Sequence, residues 1–248
     1  MFPAVYHKQI TRTLVSMVLA VMTVGGSVAS AADSKTSASL SLNQDAFFGQ
    51  WNQAMVGMKA SDKLTYNAYG IIWSNPFLVS GQAGATGGTN NWTEFGLGAT
   101  FAVQEGLTAT ALVGVTSGSL LSGGKRVSMD GYVPNLTVNY NVDRIEAQLY
   151  SGFYLAADDN GTTNDYLHFW LYGGYKLHDF YTVGLSHEQL DNSRREGGSA
   201  RTVYRWFGPY VNFAVPNANA GVRFAFGTDS AEGRSGTGFY KLSFNLGF

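Results

Sequence analysis

Cysteine is absent from the 248 residues. That excludes disulfides, thiolate metal sites, a thiol nucleophile and a lipid-modified cysteine behind a leader. Charge is sparse at 13%, with a formal net of −1, so no basic surface invites nucleic acid as a partner. Beyond the first two dozen residues there is no apolar run near 18 residues, which excludes a membrane-spanning helix there. Yet 45% of the chain is apolar and 14% aromatic. Hydrophobicity without long runs must be distributed as alternation. A closed transmembrane sheet needs that arrangement, because every backbone group has to pair within the sheet.

The N-terminus reads as a leader. His7, Lys8 and Arg12 form a basic start, an apolar stretch runs over 14–24, and Ala29-Ser30-Ala31 fits a small-x-small cleavage site. This is the pattern of a secretory signal peptide. The expected organisation is a leader over 1–31 and one domain over 32–248. Two of the 16 basic residues, Lys8 and Arg12, fall in the leader, which leaves 14 against 17 acidic ones.

Period-two alternation marks twelve strands: 38–44, 50–58, 64–73, 92–103, 107–116, 127–140, 144–156, 165–175, 180–189, 202–215, 220–228 and 237–248. Ten remain if the first hairpin is only a tail. The connections alternate between short turns and longer polar loops. The twelfth strand places Tyr240, Leu242, Phe244, Leu246 and Phe248 on one face and small or polar residues on the other. With the leader, this Phe-terminated strand resembles Gram-negative outer-membrane β-barrel proteins as a class. The resemblance implies an all-β, closed antiparallel transmembrane barrel with short periplasmic turns, longer extracellular loops and an outer-membrane location. It also implies contact with outer-membrane lipid, and a C-terminal strand read by the barrel assembly machinery. A soluble sandwich is the competing fold; the alternation of connection lengths opposes it.

Pro134 and Pro209 interrupt the sixth and tenth strands, and are expected to mark bulges or kinks. A slip near Pro209 would turn Tyr204 and Trp206 outward and Arg205 inward. Trp206 and Tyr240 then join an aromatic girdle at the loop end, with Tyr140, Tyr175, Tyr181, Phe213 and Phe248 at the turn end.

Function should sit on inward side chains. Parity gives Glu94, Glu146, His168, Glu188, Arg205, Arg223 and Lys241 as lumen-lining charges, with acids on strands four, seven and nine and bases on ten to twelve. Either these form opposed walls of a pore, or they pair and stiffen the interior; Glu188 and Arg205 are one such expected pair. Tyr69, Trp73, Tyr150, Tyr154, Tyr166, Trp170 and Tyr172 also point in, suiting sugar rings or nucleobases, or simply filling the lumen. Trp92-Thr93-Glu94-Phe95-Gly96 stands out as a compact motif with no function attached. An outer-rim hydrolase would need Ser186, His187 and Glu188 to cooperate, but adjacent strand residues face opposite ways. Asp158-Asp159-Asn160-Gly161 reads as a plain loop, and no motif implies a metal or cofactor. The expected function is a passive, porin-like channel for small hydrophilic solutes. A non-conducting structural or partner-binding barrel is the alternative, and a rim lipid hydrolase a distant third. The apolar Pro76-Phe77-Leu78-Val79 stretch is a possible plug, lipid contact or partner site.

Overall fold

Each strand alternates a bulky apolar residue with a small, polar or aromatic one, and the only sheet that buries both kinds of edge is one that closes on itself. The computed structural model shows that closure. It describes residues 35–74, 91–122, 127–158, 163–194, 201–215 and 218–248. The leader, the Pro76-Phe77-Leu78-Val79 stretch and Asp159-Asn160-Gly161 lie outside the described residues. The barrel unit is Lys35–Gly247.

Its strands are β1 (Thr36–Asp45), β2 (Gly49–Ser61), β3 (Leu64–Ser74), β4 (Asn91–Gln104), β5 (Leu107–Gly118) and β6 (Val127–Val142), followed by β7 (Ile145–Ala156), β8 (Asp165–His178), β9 (Tyr181–Arg194), β10 (Arg201–Val215), β11 (Ala220–Asp229) and β12 (Gly238–Gly247). Each pairs antiparallel with its sequence neighbour, and β1 closes on β12 with Leu42 opposite Phe244. The count is twelve, with the first hairpin inside the barrel. Short turns join β2 to β3, β4 to β5, β6 to β7, β8 to β9 and β10 to β11, at the end where β1 starts and β12 finishes. Asp143 and Asn219 take left-handed backbone in two of these turns (φ 49° and 42°), a conformation that Asp and Asn tolerate better than most residues. No helix among the described residues is long and apolar enough to cross a membrane.

The outward face is a continuous apolar band. Val56, Ile72, Phe95, Leu97, Val113, Leu149, Phe153, Leu171, Leu185, Phe207 and Phe226 are all exposed, far more apolar surface than a water-soluble monomer leaves open. Tyr240, Leu242, Phe244 and Leu246 share that face of β12, opposite Phe226, Phe224, Val222 and Ala220.

The prolines behave differently from expectation. Pro209 sits opposite Leu185 with the β9 register unbroken, and the bonding to β11 merely lapses beside it without a shift. Pro134 likewise keeps its register against Val113, and the ladder to β7 skips it without a slip. A missing N–H is thus accommodated by a two-residue lapse in one ladder, at Val133 and Pro134 and at Gly208 and Pro209, rather than by a bulge. The irregularity of β10 lies earlier, between Thr202 and Tyr204. With no slip at Pro209, the outward parity of Val211 and Phe213 runs back along the strand and reverses the expectation: Tyr204 and Trp206 are fully buried inside the barrel, and Arg205 is exposed on the outside. Trp206 is therefore no girdle residue, and Arg205 is no lumen residue.

Candidate functional site: a septum across the lumen

The connection between β1 and β2 is only Ala46, Phe47 and Phe48, at the end where the other connections are longer. It turns into the barrel. Asp45, itself buried, accepts from the backbone N–H of Phe47 (2.8 Å) and Phe48 (2.6 Å) through Oδ1, and from Trp51 Nε1 through Oδ2 (3.1 Å). An Asp bonding its own backbone two and three residues on is an Asx-type turn. Gly49 follows with φ 75°, a backbone that only glycine adopts freely.

This turn carries Phe48 between two aromatic stacks. On one wall Trp51, Trp73 and Trp92 stack in sequence across β2, β3 and β4, with centroids 5.0 and 5.4 Å apart. On the other, Tyr204, Trp206 and Phe239 stack at 4.1 and 4.9 Å. Phe48 lies 5.1 Å from Trp73, 6.1 Å from Trp92, 5.6 Å from His168 and 6.2 Å from Tyr204, while Phe47 lies 4.9 Å from Tyr204. Side chains from opposite walls thus meet, and all but the partly buried Phe47 are buried from solvent. Two more buried aspartates secure inward tips at the same end. Asp130 accepts from Leu121 N (2.7 Å) and Ser122 N (2.8 Å), burying Leu121 against Val133 and Tyr154. Asp229 accepts from Arg205 N, Ala231 N and Arg234 Nε.

Beneath the aromatic layer lies a buried ionic knot. Glu188 receives Lys241 Nζ at 2.6 Å, His168 Nε2 at 3.0 Å and the Tyr204 hydroxyl at 2.9 Å. The Lys241 ammonium also sits 4.6 Å from the Trp170 ring centre, and Trp170 stacks on Tyr150 at 3.9 Å. Nearer the turns, Glu146 accepts from Tyr210, Thr182 and Asn212 and approaches Arg223 at 3.9 Å; the Arg223 guanidinium lies 4.5 Å over Tyr172. Polar residues continue toward the turn end, where half-exposed Thr100 meets buried Asn67 and Thr110, and Gln148 donates to Asn139. The lumen below the aromatic layer is thus lined by polar side chains.

Of the side chains expected to line the lumen, Glu94, Glu146, His168, Glu188, Arg223, Lys241, Tyr150, Tyr154 and Trp170 turn inward. Arg205 instead donates to Gln189 Oε1 (2.8 Å) on the outer face, so it does not bridge to Glu188. Its place is taken by Lys241. Acid and base do not stand as opposed walls: Glu188 pairs with Lys241 and Glu146 with Arg223, cancelling much of the transverse field. Ser186 points inward and donates to the Gly208 carbonyl (3.0 Å), while His187 faces outward beside Phe169. They do not cooperate. Among the described residues no His, Asp and Glu group suits a metal ion. Sequence reasoning missed the inward turn of Phe47 and Phe48. The available signal was Asp45 two and three residues before a pair of aromatics in a connection otherwise too short to reach far.

A family model described as "Family of unknown function (DUF6733)" matches residues 7–248. No curated protein matches the chain. Among solved structures, the chain is similar to a KdgM porin (13% identity, TM-score 0.49, covering 85% of this chain and 99% of that one). It is similar to a NanC porin (8%, 0.48, 85% and 98%), and to LpxR from Salmonella typhimurium (8%, 0.45, 85% and 99%).

Proposed function

Because the chain belongs to the family of unknown function DUF6733, we propose a function from the geometry itself: an outer-membrane conduit for small hydrophilic solutes, held shut by a septum of its own side chains. The apolar outward band suits outer-membrane lipid, and the alternating face of β12, with Phe248 after it, suits recognition by an assembly machinery. The polar side chains that line the turn end suit hydrophilic solutes. The observation that carries the closed state is Phe48, lodged between the Trp73–Trp92 stack and Tyr204 on the facing wall. The proposal contains no catalytic step.

A second reading, a permanently non-conducting barrel, is favoured by the depth at which the charges are paired. Liposome swelling with small neutral polyols separates the two. Wild-type protein should swell vesicles slowly. A Phe47→Ala/Phe48→Ala variant, still migrating as a folded barrel on gels, should do so at least about tenfold faster. Rapid swelling with the wild type would refute the shut septum, and no swelling with either would favour the non-conducting barrel.

A further inference from the structure

One rung of the barrel carries an unusual set of polar atoms. Asn43 on β1 pairs with Trp51 on β2, Trp51 with Trp73 on β3, and Trp73 with Trp92 on β4. All four side chains face the lumen and are more than nine-tenths buried. Trp51 Nε1 is satisfied by Asp45. Among the described residues, however, Asn43 Nδ2, Trp73 Nε1 and Trp92 Nε1 have no partner. Two residues along β4 from Trp92, on the same face, Glu94 is equally buried. Its Oε1 takes the Tyr69 hydroxyl at 2.5 Å, and its Oε2 is unpartnered. A buried polar atom without a hydrogen bond is costly and rare in folded proteins. Four of them on one rung and the next inward position of β4 indicate that something else completes the set.

The backbone here makes room for this arrangement. Gly96 and Gly114 lie where Tyr69 crosses the inner wall. A Cβ on Gly96 would stand 2.4 Å from the Tyr69 ring, and one on Gly114 would stand 2.3 Å from its hydroxyl and 2.9 Å from Glu94 Oε1. The Trp92-Thr93-Glu94-Phe95-Gly96 motif therefore places three inward positions in this one locus, and its two intervening residues, Thr93 and Phe95, face out.

The chemistry of the orphaned atoms selects the ligand. Indole and amide N–H groups can only donate. An anion would satisfy them, but it would face the Glu94 carboxylate and lie near Asp45, while the Lys241 ammonium, 5.6 Å from the Trp51 ring, is already taken by Glu188. A cation would satisfy only Glu94. A hydroxyl accepts from an N–H and also donates to a carboxylate, so it alone serves both sides. The rung from β1 to β4 spans three interstrand spacings, about 14 Å, which exceeds the reach of a single water or ion. We propose that Asn43, Trp73, Trp92 and Glu94 form a binding site for a neutral, hydroxyl-rich solute of the saccharide class. This deepens the conduit reading and rests on it for a route of entry, and it places the ligand against the same two indoles that Phe48 packs upon.

Calorimetric titration of the full-length protein in detergent tests the proposal without requiring conduction. Maltose is the neutral probe; glucuronate and glucosamine are its anionic and cationic counterparts. Maltose should bind saturably and more tightly than either charged sugar. Trp73→Phe/Trp92→Phe keeps the stacked rings and deletes both N–H donors. At about 1 kcal/mol for each lost bond, it should weaken maltose about 30-fold. Glu94→Gln, a smaller change to the fold, should weaken it several-fold. Heat-modifiable gel mobility checks that each variant is a folded barrel. No heat with any of the sugars, tighter binding of a charged sugar, or unchanged affinity in both variants would overturn the site and leave ordered water only on the rung. If maltose binds while no vesicles swell, the conduit fails and the site stands; swelling without binding gives the reverse.

Discussion

Replacing Lys241 by Met should be among the most damaging single substitutions in the barrel. The Lys241 ammonium and the Glu188 carboxylate are 2.6 Å apart, and their side chains are only 7% and 4% exposed. Met fills much of the same volume and keeps contact with the Trp170 and Trp51 rings. It leaves Glu188 buried with its Oε2 unpartnered, while His168 and Tyr204 still serve Oε1. Removing one partner of a buried pair costs about 3–5 kcal/mol, whereas replacing both members is often close to neutral. Lys241→Met/Glu188→Gln should therefore recover most of that loss. The residual deficit should be about 1–2 kcal/mol, from the lost ammonium–Trp170 attraction at 4.6 Å. Urea unfolding of the refolded barrel, followed by tryptophan fluorescence and gel mobility, reads both quantities. At a slope of about 2 kcal/mol/M, the single variant should lose roughly 1.5–2.5 M in midpoint. A loss below about 1 kcal/mol in Lys241→Met, or a double variant no more stable than the single one, would refute the view that these charges are paired structural elements of a closed lumen.

Three further outcomes follow from the same geometry. Gly114→Ala should cost about 1–3 kcal/mol, because its Cβ would displace the Tyr69 hydroxyl from Glu94; Tyr69→Phe in the same chain should relieve part of that loss, and an additive effect would argue against the clash. Leu149→Arg, on the exposed band midway along β7, should cost about 2–4 kcal/mol in vesicles if lipid covers the band, and a neutral effect would show that it does not. Phe244→Asp/Phe248→Asp should deplete the protein from outer-membrane fractions, and normal accumulation there would remove the assembly role from the C-terminal strand.

Most of the architecture was legible in the sequence because a barrel wall has a strict period of two. Leu97, Ala99, Phe101 and Val103 announce the outward face of β4 as clearly as Glu94, Gly96 and Gly98 announce the inward one. That logic fails where both faces are aromatic. Tyr204 and Trp206 read as lipid-facing because large rings normally are, but a filled lumen consumes rings as well. The strand carries no slip at Pro209, so the outward parity of Val211 and Phe213 runs back to Arg205 and places it outside; the irregularity between Thr202 and Tyr204 lies before that stretch. Pro209 drew attention to the wrong place, since a proline can interrupt one ladder without shifting register. The septum was harder still to foresee. Ala46, Phe47 and Phe48 form a short connection, and short connections are expected to lie at the surface. Their inward course is set by Asp45 and its three hydrogen bonds, and by the pre-existing ring wall, neither of which has a sequence period. The partnering of Glu188 by Lys241 rather than Arg205 was hidden for the same reason: those residues meet across the lumen from β9 and β12, with two strands between them along the wall.

The central claim is that the barrel is shut by Phe48 and the rings it touches, and single-channel recording in planar bilayers addresses it most directly. The wild-type protein should insert and remain almost entirely non-conducting, with at most brief openings. Phe48→Ala, which empties the space between Trp73, Trp92 and Tyr204, should produce sustained conductance steps. A wild-type barrel that passes steady current from the moment of insertion, at a level Phe48→Ala leaves unchanged, would contradict the account.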